Sequence, residues 1–366
     1  MKNLIILLLF SLILIGCGTS KKIAESNVQL FFLDDYIIPA DLEIMGTKVG
    51  GLSGIEYLSA ENYLMVCDHP GNPRFYRTEI LLKNKKIDTV IFSEAVILKK
   101  DNPFLKDHIL DLEGIRFDKN SEDIIISSEG SIQNGKDPSV FKIDKQGNFI
   151  FNYEIPYYFD AEGGQKPRNN GVFEGLTQSV DGSGIWVGTE LPLEKDGSKP
   201  KLFPTKSPVR ITKFDKSGEP VFQFVMQLEG ITKIPWLYFA VNGLTEIIEY
   251  APRQFFVLER AFSAGHGSHG NTVRIFDVDA RQATNTLKFE NLRKAEFSEA
   301  KKVLIFDFKN IKNQLEEEII DNLEGMTFGP SLPNGNKTLL LASDNNFNSL
   351  GKQINQIILM EVQMKN

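Results

Sequence analysis

The chain has 366 residues, 42% of them hydrophobic and 24% charged, a composition typical of a folded protein that argues against wholesale disorder. Its 41 basic and 48 acidic side chains give a formal net charge of -7, which argues against a nucleic-acid partner because neutralising phosphates requires a basic face. With only 2 cysteines, the chain has neither a disulfide framework nor a cysteine-rich zinc module.

The first residues have the pattern of an export signal. Lys2 precedes an apolar run, residues 4–15, that is too short for the about 20 residues of a membrane-spanning helix. The run ends in Leu14-Ile15-Gly16-Cys17, which resembles the bacterial lipobox, whose cysteine is acylated and becomes the mature N-terminus. An ordinary cleaved signal peptide is the alternative.

These features predict a signal peptide over residues 1–16, lipidation at Cys17, a tether over residues 17–27 and a folded domain over residues 28–363. Two or three acyl chains anchor a protein stably, because each buried methylene group contributes about 0.8 kcal/mol. The expected location is the cell envelope, with membrane contact through the N-terminal lipid only. Gly18 follows the cysteine, and by resemblance to Gram-negative sorting signals this favours the outer membrane.

A short phrase containing glycine returns five times along the chain. Its glycines are separated by 60, 61, 68 and 82 residues. Each phrase is followed by a turn-forming patch and a strongly apolar segment, which is the pattern of a β-hairpin. The copies are Leu52-Ser53-Gly54-Ile55, Leu112-Glu113-Gly114-Ile115, Phe173-Glu174-Gly175-Leu176, Val241-Asn242-Gly243-Leu244 and Leu323-Glu324-Gly325-Met326. The apolar segments predict strands at Tyr63–Cys67, Asp123–Ser127, Ile185–Gly188, Phe255–Leu258 and Thr338–Ala342.

Units of about 60 residues with four short strands each predict an all-β fold, a β-propeller. The segment Val28–Ile38 is expected to close the ring by pairing with Gln356–Val362, which would remove exposed sheet edges. Five repeats are marked, the length also allows six blades, and a pair of β-sandwiches is the alternative fold. Short helical insertions are expected at Arg293–Ala300 and Ile311–Ile320, on either side of a strand at Val303–Phe308.

Acidic residues recur at two positions of the repeats. One set follows or ends the predicted apolar strands, and the other stands directly before the repeat glycine. Because the innermost strand of a blade begins where the next strand ends, both sets are expected at one mouth of the central channel. The first set is Asp68, Glu129, Glu190, Glu259 and Asp344, and the second is Glu113, Glu174 and Glu324.

Crowded carboxylates repel each other, so this site requires protonation or a neutralising cation. Ca2+ takes six to eight oxygen ligands, and all eight acids are candidate ligands for it. Arg116, Arg260 and Arg274 lie near the repeats and are candidates for binding the anionic group of a substrate. His266, in the loop Gly265–Gly270, is a candidate proton donor. The alternative is a structural role, in which the acids cap and cross-link blades through backbone N–H groups.

Longer phrases surround the repeat glycines: Gly50–Ile55, Asp111–Ile115, Asn170–Leu176, Asn242–Glu246, Asn322–Met326 and Ser343–Phe347. Together they resemble the bacterial phytase-like family, described as having esterase-like activity of phytase, over about residues 30–362. The family's motifs match at Glu113, Glu174, Glu259, Arg260, Glu324 and Asp344. The chain departs from the Glu-Gly pattern at Ser53 and Asn242.

The resemblance implies hydrolysis of esters or phosphoesters of small molecules. The leading hypothesis is therefore a Ca2+-dependent hydrolase, in which Glu174, Glu324 and His266 serve catalysis. The rival hypotheses are a non-catalytic envelope propeller that binds a ligand, glycan or protein, and a Ca2+-dependent enzyme of the lactonase type.

Overall fold

The computed structural model describes residues 26–348 and 352–365. The predicted signal peptide and Cys17 lie outside the described residues. In chain order the strands are β1 (Val28–Ile38), β2 (Glu43–Ile44), β3 (Thr47–Lys48), β4 (Leu52–Ser59), β5 (Asn62–Cys67), β6 (Arg74–Lys83), β7 (Lys86–Ile97), β8 (Leu112–Asp118), β9 (Asp123–Ser128), β10 (Ser139–Ile143), β11 (Phe149–Asn152), β12 (Phe173–Gln178), β13 (Gly184–Thr189), β14 (Pro208–Asp215), β15 (Pro220–Gln227), β16 (Ala240–Ala251), β17 (Gln254–Ser263), β18 (Asn271–Asp279), β19 (Lys301–Asp307), β20 (Asn322–Ser331), β21 (Lys337–Asp344) and β22 (Asn355–Met364).

Twenty of these strands form five four-stranded antiparallel sheets, the blades of a propeller. Blades 1 to 4 are the consecutive groups β4–β7, β8–β11, β12–β15 and β16–β19, and blade 5 is β20, β21, β22 and β1. The first strand of each blade contacts the first strands of the two neighbouring blades, so β4, β8, β12, β16 and β20 surround the axis. Buried apolar side chains form five clusters, one between each pair of neighbouring blades. The predicted all-β propeller is confirmed, with five blades.

The two ends of the domain close the ring. Strand β1 pairs antiparallel with β22, from Val28 opposite Met364 to Ile38 opposite Asn355. Because the last blade is completed by the first strand of the chain, unfolding either end exposes an edge of the sheet. The predicted pairing of Val28–Ile38 with the C-terminal strand is confirmed.

The short helical insertions predicted at residues 293–300 and 311–320 are present as 3-10 turns and not as α-helices. The segments contain only 3-10 turns, at Leu292–Lys294 and Lys312–Gln314, and α1 (Pro103–Asp107) is the one α-helix of the described residues. Other parts of the fold satisfy the backbone there: the Ala300 N–H donates to the Val225 carbonyl at 2.9 Å. The intervening strand exists as β19, and no helix of the described residues is long and apolar enough to span a membrane.

The repeat glycines are required by close approach of the innermost strands. A Cβ on Gly54 would lie 2.6 Å from the carbonyl oxygen of Glu113, and one on Gly114 would lie 2.6 Å from the Leu176 Cβ. A Cβ on Gly325 would lie 3.0 Å from the Cα of Gly54. Each glycine therefore lets one blade pack its backbone against the next, which explains why the phrase recurs.

Replacing Gly54 by alanine is expected to lower the free energy of unfolding by about 1–3 kcal/mol, because the new Cβ meets backbone atoms that have no room to move. Gly164→Ala is the matched control, since a Cβ there has no neighbour within 4 Å. Urea unfolding of both variants measures the difference. Equal stability of Gly54→Ala and the wild type would contradict the role assigned to the repeat glycines.

Candidate functional site

A β-bulge aims one side chain of every innermost strand toward the axis. Register shifts occur in the innermost strands of all five blades, at the repeat phrase in blades 1, 2, 3 and 5 and directly after it in blade 4. The bulged positions include Ser53, Glu113, Glu174, Thr245 and Glu324. A bulge adds a residue to one strand and redirects its side chain. In antiparallel strands this position adjoins the end of the second strand. That second position is occupied by Asp68, Glu129, Glu190, Arg260 and Asp344.

These two sets meet at one end of the propeller axis, which we call the axial mouth. Carboxylates of different blades lie close enough to raise one another's pKa values. After burial, the charges of Glu129, Glu190 and Glu324 raise the pKa of Glu174. The pKa of Asp344 is raised in the same way, by burial first and then by the charges of Asp68 and Glu324. The convergence of acids from separate blades, predicted from their spacing, is therefore present in the structure.

Five carboxylates from blades 2 and 3 form the densest part of the mouth, which we call the acid cluster. Oxygen atoms of Asp111, Glu113 and Glu129 lie within 4.8 Å of one another, and so do oxygen atoms of Glu129, Glu174 and Glu190. Glu129 belongs to both triads and accepts a hydrogen bond from the Val172 N–H at 2.7 Å. The acid cluster thus offers two adjoining sets of three carboxylates.

Burial and mutual repulsion raise the pKa values of the acid cluster. The pKa values of Glu113, Glu129 and Glu174 lie well above the ordinary value, first because burial removes their solvation and second because neighbouring carboxylates repel the charge. Burial raises the pKa of Glu190 to about 7 and that of Asp111 to about 6. The cluster therefore holds protons at neutral pH unless a cation replaces them.

An arginine faces the acid cluster from blade 4. Arg260 Nη2 donates to Glu324 Oε1 at 2.9 Å, and the Asn322 side-chain amide donates to the same oxygen at 2.7 Å. Burial lowers the pKa of Arg260, but the charges of Glu324, Glu190 and Glu174 outweigh this and raise it. The Arg260 Nε is buried without a hydrogen-bond partner among the described residues. It is a donor available to an anion at the mouth.

Three further carboxylates complete the mouth from blades 1 and 5. Burial raises the pKa of Asp68 to about 6 and that of Glu324 to about 7, and it raises the pKa of Asp344 well above its ordinary value. Asp344 Oδ1 accepts the Asn346 N–H at 2.8 Å. With the acid cluster they bring the carboxylates at the mouth to eight, seven of which were named from the sequence.

The eighth acid predicted from the sequence, Glu259, lies away from the mouth. It sits within β17 opposite Leu244, and its carboxylate contacts Lys302 Nζ at 2.7 Å and the Asn242 side-chain amide at 2.8 Å. The next residue, Arg260, occupies the position that acids hold in the other blades. The sequence prediction misplaced this repeat by three residues, because the bulge of blade 4 lies at Thr245 rather than at Asn242.

Three other predicted residues do not contact the acid cluster. Arg116 lies on the axis between the innermost strands, paired with Glu246 at 2.8 Å. Arg274 pairs with Asp307 at 3.2 Å in a separate cleft. His266 packs on the Trp236 ring in a rim loop, where its Nε2 lies 2.9 Å from the Ile234 carbonyl oxygen. Of the candidate cations, Arg260 alone borders the acid cluster.

Asp111 was not selected from the sequence, although it is a member of the acid cluster. The equivalent positions of the other blades, one residue before the phrase, are Gly51, Val172, Gly243 and Asn322. A search for recurring acids therefore had no signal at this position. The signal that would have revealed it is local, since Asp111 is two residues from Glu113 at the start of a strand, where both side chains face the same side.

Comparison with known proteins now becomes informative. A family model described as phytase-like, with esterase-like activity of phytase, matches residues 47–347. The chain belongs to this family. The match includes blades 1 to 4, the two inner strands of blade 5 and all the carboxylates of the axial mouth. A comparison with curated proteins gives no match.

Solved structures similar to this phytase-like chain include two glycoside-cleaving enzymes. An exo-β-1,3-galactanase from Phanerochaete chrysosporium matches with 10% identity and a TM-score of 0.48, covering 89% of this chain and 63% of that chain. A family 43 endo-arabinanase from Bacillus licheniformis matches with 9% identity and a TM-score of 0.41, covering 86% and 95%. The phytase-like chain thus spans less than two thirds of the galactanase. These similarities concern the fold and not the activity.

The acid cluster fits a hard cation. Both triads consist of carboxylates only, and oxygen ligands are those that Ca2+ prefers, whereas zinc and copper sites use imidazole or thiolate. The repulsion between buried carboxylates is also the condition that a divalent cation relieves. The Arg260 Nε adds a buried donor that has no acceptor among the described residues.

Proposed function

We propose that this phytase-like protein is a cation-dependent hydrolase of phosphoesters or related esters, with its active site at the axial mouth. The observation that carries the proposal is the pair of adjoining carboxylate triads that share Glu129. The family match supports hydrolysis of an ester bond. The lipobox at Cys17 supports action at the cell envelope, with the protein held by an N-terminal lipid.

The residues of the mouth divide into ligands for the cation, a binding group for the anion, and groups that position side chains or carry protons. Asp111, Glu113 and Glu129, or Glu129 with Glu174 and Glu190, would hold Ca2+, which supplies a Lewis acid that offsets the charge of the reacting ester group. Arg260 binds and orients the anionic group of the substrate through its guanidinium N–H groups.

Glu324 positions the Arg260 side chain by its 2.9 Å contact with Nη2. Glu324 belongs to neither triad and has a pKa of about 7, so it can accept and release protons at physiological pH, as a general acid or base must.

Replacing Glu174 by glutamine is expected to reduce cation-dependent turnover at least about 100-fold, because the variant loses one carboxylate ligand of its triad while keeping the size of the side chain. The measurement is release from aryl phosphates, aryl carboxylate esters and sugar lactones, with Ca2+ or with EDTA. Glu61→Gln, an exposed glutamate of blade 1, is the matched control.

Activity of Glu174→Gln equal to that of the wild type, or wild-type activity unaffected by EDTA, would overturn the proposal. Turnover of lactones alone would favour an enzyme of the lactonase type instead. Both outcomes are read in the same assay.

A binding protein is the second candidate function, and one surface feature favours it. The loop that leads into β16 exposes a continuous apolar run, Ile234–Phe239, in which Trp236 is 71% and Tyr238 99% exposed. Contiguous exposed apolar side chains commonly mark an interaction surface. Under this alternative, Ca2+ raises the melting temperature but no ester in the screen is cleaved.

A further inference from the structure

A second polar cavity lies on blade 4, apart from the acid cluster. It is a cleft of about 380 Å3 formed by the loop entering the blade, by β18 and by the segment leaving β19. Its lining includes Thr232, Asn271, Thr272 and Ile320, which are uncharged, and a group of charged side chains considered next. We call it the blade-4 cleft.

The blade-4 cleft concentrates positive charge in an acidic protein. Lys233, Arg274, Lys309 and Lys312 line it, together with the single carboxylate of Asp307. Asp307 is shared, since its Oδ2 lies 3.2 Å from Arg274 Nε and 3.3 Å from Lys309 Nζ. The chain as a whole carries a net charge of -7, so four cations around one carboxylate are a local inversion of its charge.

Two of these cations have no acidic partner. Within residues 26–348 and 352–365, neither Lys233 nor Lys312 forms an ion pair with a carboxylate. Lys233 Nζ donates only to backbone, to the carbonyl oxygens of His269 and Asn271. Burial lowers the pKa of Lys233, and the charge of Lys312 lowers it further. Holding two unpaired ammonium groups this close costs free energy that a bound anion would offset.

We propose that the blade-4 cleft binds a phosphate-type anion, either inorganic phosphate or the phosphate of a monoester. Arg274 offers a planar guanidinium with several N–H donors. The three lysines offer ammonium groups from the loop that enters the blade and from the segment that leaves β19. A phosphate has enough oxygens to accept from several of these cations at once, whereas a chloride ion has no directional acceptors. The proposal does not depend on the activity assigned to the axial mouth.

The blade-4 cleft adjoins the axial mouth through a chain of polar contacts. The Asn271 side-chain amide, in the cleft, donates to Asp321 Oδ1 at 3.3 Å. The next residue, Asn322, donates to Glu324 at the mouth at 2.7 Å. An anion in the cleft therefore binds near the Glu324 side of the axial mouth but on different residues.

Titration calorimetry with inorganic phosphate, in EDTA and at constant ionic strength, tests the proposal. We expect saturable binding to the wild type that weakens at least about 10-fold in Lys312→Met and is retained in Lys312→Arg. Lys83→Met, at the exposed end of β6 in blade 1, removes the same charge elsewhere and is expected to bind as the wild type does. Phenyl phosphate in place of phosphate shows whether a monoester is the better ligand.

Absence of saturable phosphate binding to the wild type, or equal binding by Lys312→Met and Lys83→Met, would overturn the proposal. Lys233→Met is a second variant on the opposite wall of the cleft, in case Lys312→Met unfolds. The Glu174→Gln variant is expected to bind phosphate normally in EDTA. Loss of turnover and loss of phosphate binding are therefore separate results.

Discussion

Replacing Arg116 by methionine is expected to lower the free energy of unfolding by about 3–5 kcal/mol. The guanidinium lies on the propeller axis and donates to the carbonyl oxygens of Ile55, Ile115 and Met326 at 2.7–3.2 Å, on three different blades. It also pairs with Glu246 at 2.8 Å, where both side chains are almost fully buried. The variant therefore leaves a buried carboxylate without a counter-charge and three carbonyls without a donor. Urea unfolding at neutral pH measures the loss.

Two controls separate this effect from simple loss of packing. Arg281→Met removes an arginine from an exposed pair with Asp279 and is expected to leave the free energy of unfolding almost unchanged, because solvent screens exposed ion pairs. Adding Glu246→Gln to Arg116→Met is expected to recover part of the loss, because it removes the unpaired charge. A stability of Arg116→Met within about 1 kcal/mol of the wild type would show that the axial arginine is not a structural element.

Glu246 explains why an arginine is needed at this place. It occupies the position that glycine holds in the other blades, and its carboxylate accepts the N–H groups of Leu176 and Ile247 at 2.8 and 2.9 Å. Burial raises the pKa of Glu246 to about 7, even though the charge of Arg116 lowers it. Blade 4 thus uses an ion pair where its neighbours use close backbone contact.

Most of the fold could be predicted from the sequence, because the repeating residues are those that the backbone conformation requires at fixed places in each blade. Glycine recurs where innermost strands touch, as at Gly54 and Gly114, and turn residues recur where hairpins reverse. Ring closure followed from the Phe- and Tyr-rich segment Val28–Ile38. The segments 293–300 and 311–320 do not form α-helices, because backbone N–H groups there bond to other parts of the fold: that of Ala300 donates to the Val225 carbonyl and that of Glu316 to the Asp35 carboxylate.

The candidate site could be predicted only where the repeats are regular. The positions of Glu113, Glu174 and Glu324 followed from the phrase itself. The prediction for blade 4 was wrong because Asn242-Gly243 resembles the repeat phrase, whereas the bulge that sets the register lies at Thr245. The apolar run of the sequence ends at Leu258, whereas β17 continues to Ser263 and thereby places Arg260, not Glu259, at the mouth. Bulge positions depend on pairing between strands, which a single sequence does not display.

The stability of the protein without divalent cations is expected to fall as the pH rises from about 5 to about 8. In the folded state the pKa values of Glu190 and Glu324 are about 7, and those of Asp68 and Asp111 are about 6. Unfolded carboxyl groups titrate near 4. Between these values the folded state binds more protons than the unfolded state, so the free energy of unfolding decreases with increasing pH.

Acids with lowered pKa values do not mask this trend. Hydrogen bonds from Asn336, Lys85 and Asn334 lower the pKa of Glu361 to about 2, and the stability that such a group contributes is present above about pH 4 and lost only below it. Their titration therefore lies outside the interval from about pH 5 to about pH 8. The slope in that interval reports the buried carboxylates with raised pKa values, which are those of the mouth together with Glu246 on the axis.

Millimolar Ca2+ is expected to raise the melting temperature by on the order of 5 °C at about pH 8 and by much less at about pH 5. The reason is that the cation binds the ionised acids of the cluster and takes the place of the protons they would otherwise hold. Calorimetric melting in EDTA and in Ca2+ at both pH values measures the four temperatures. Glu190→Gln, which removes one of the groups titrating near 7, should flatten the pH dependence in EDTA and shrink the Ca2+ shift. Protons and the cation compete for the same oxygens at the axial mouth. A Ca2+ shift of the melting temperature that is equal at both pH values would therefore mean that the cation binds somewhere other than these buried carboxylates.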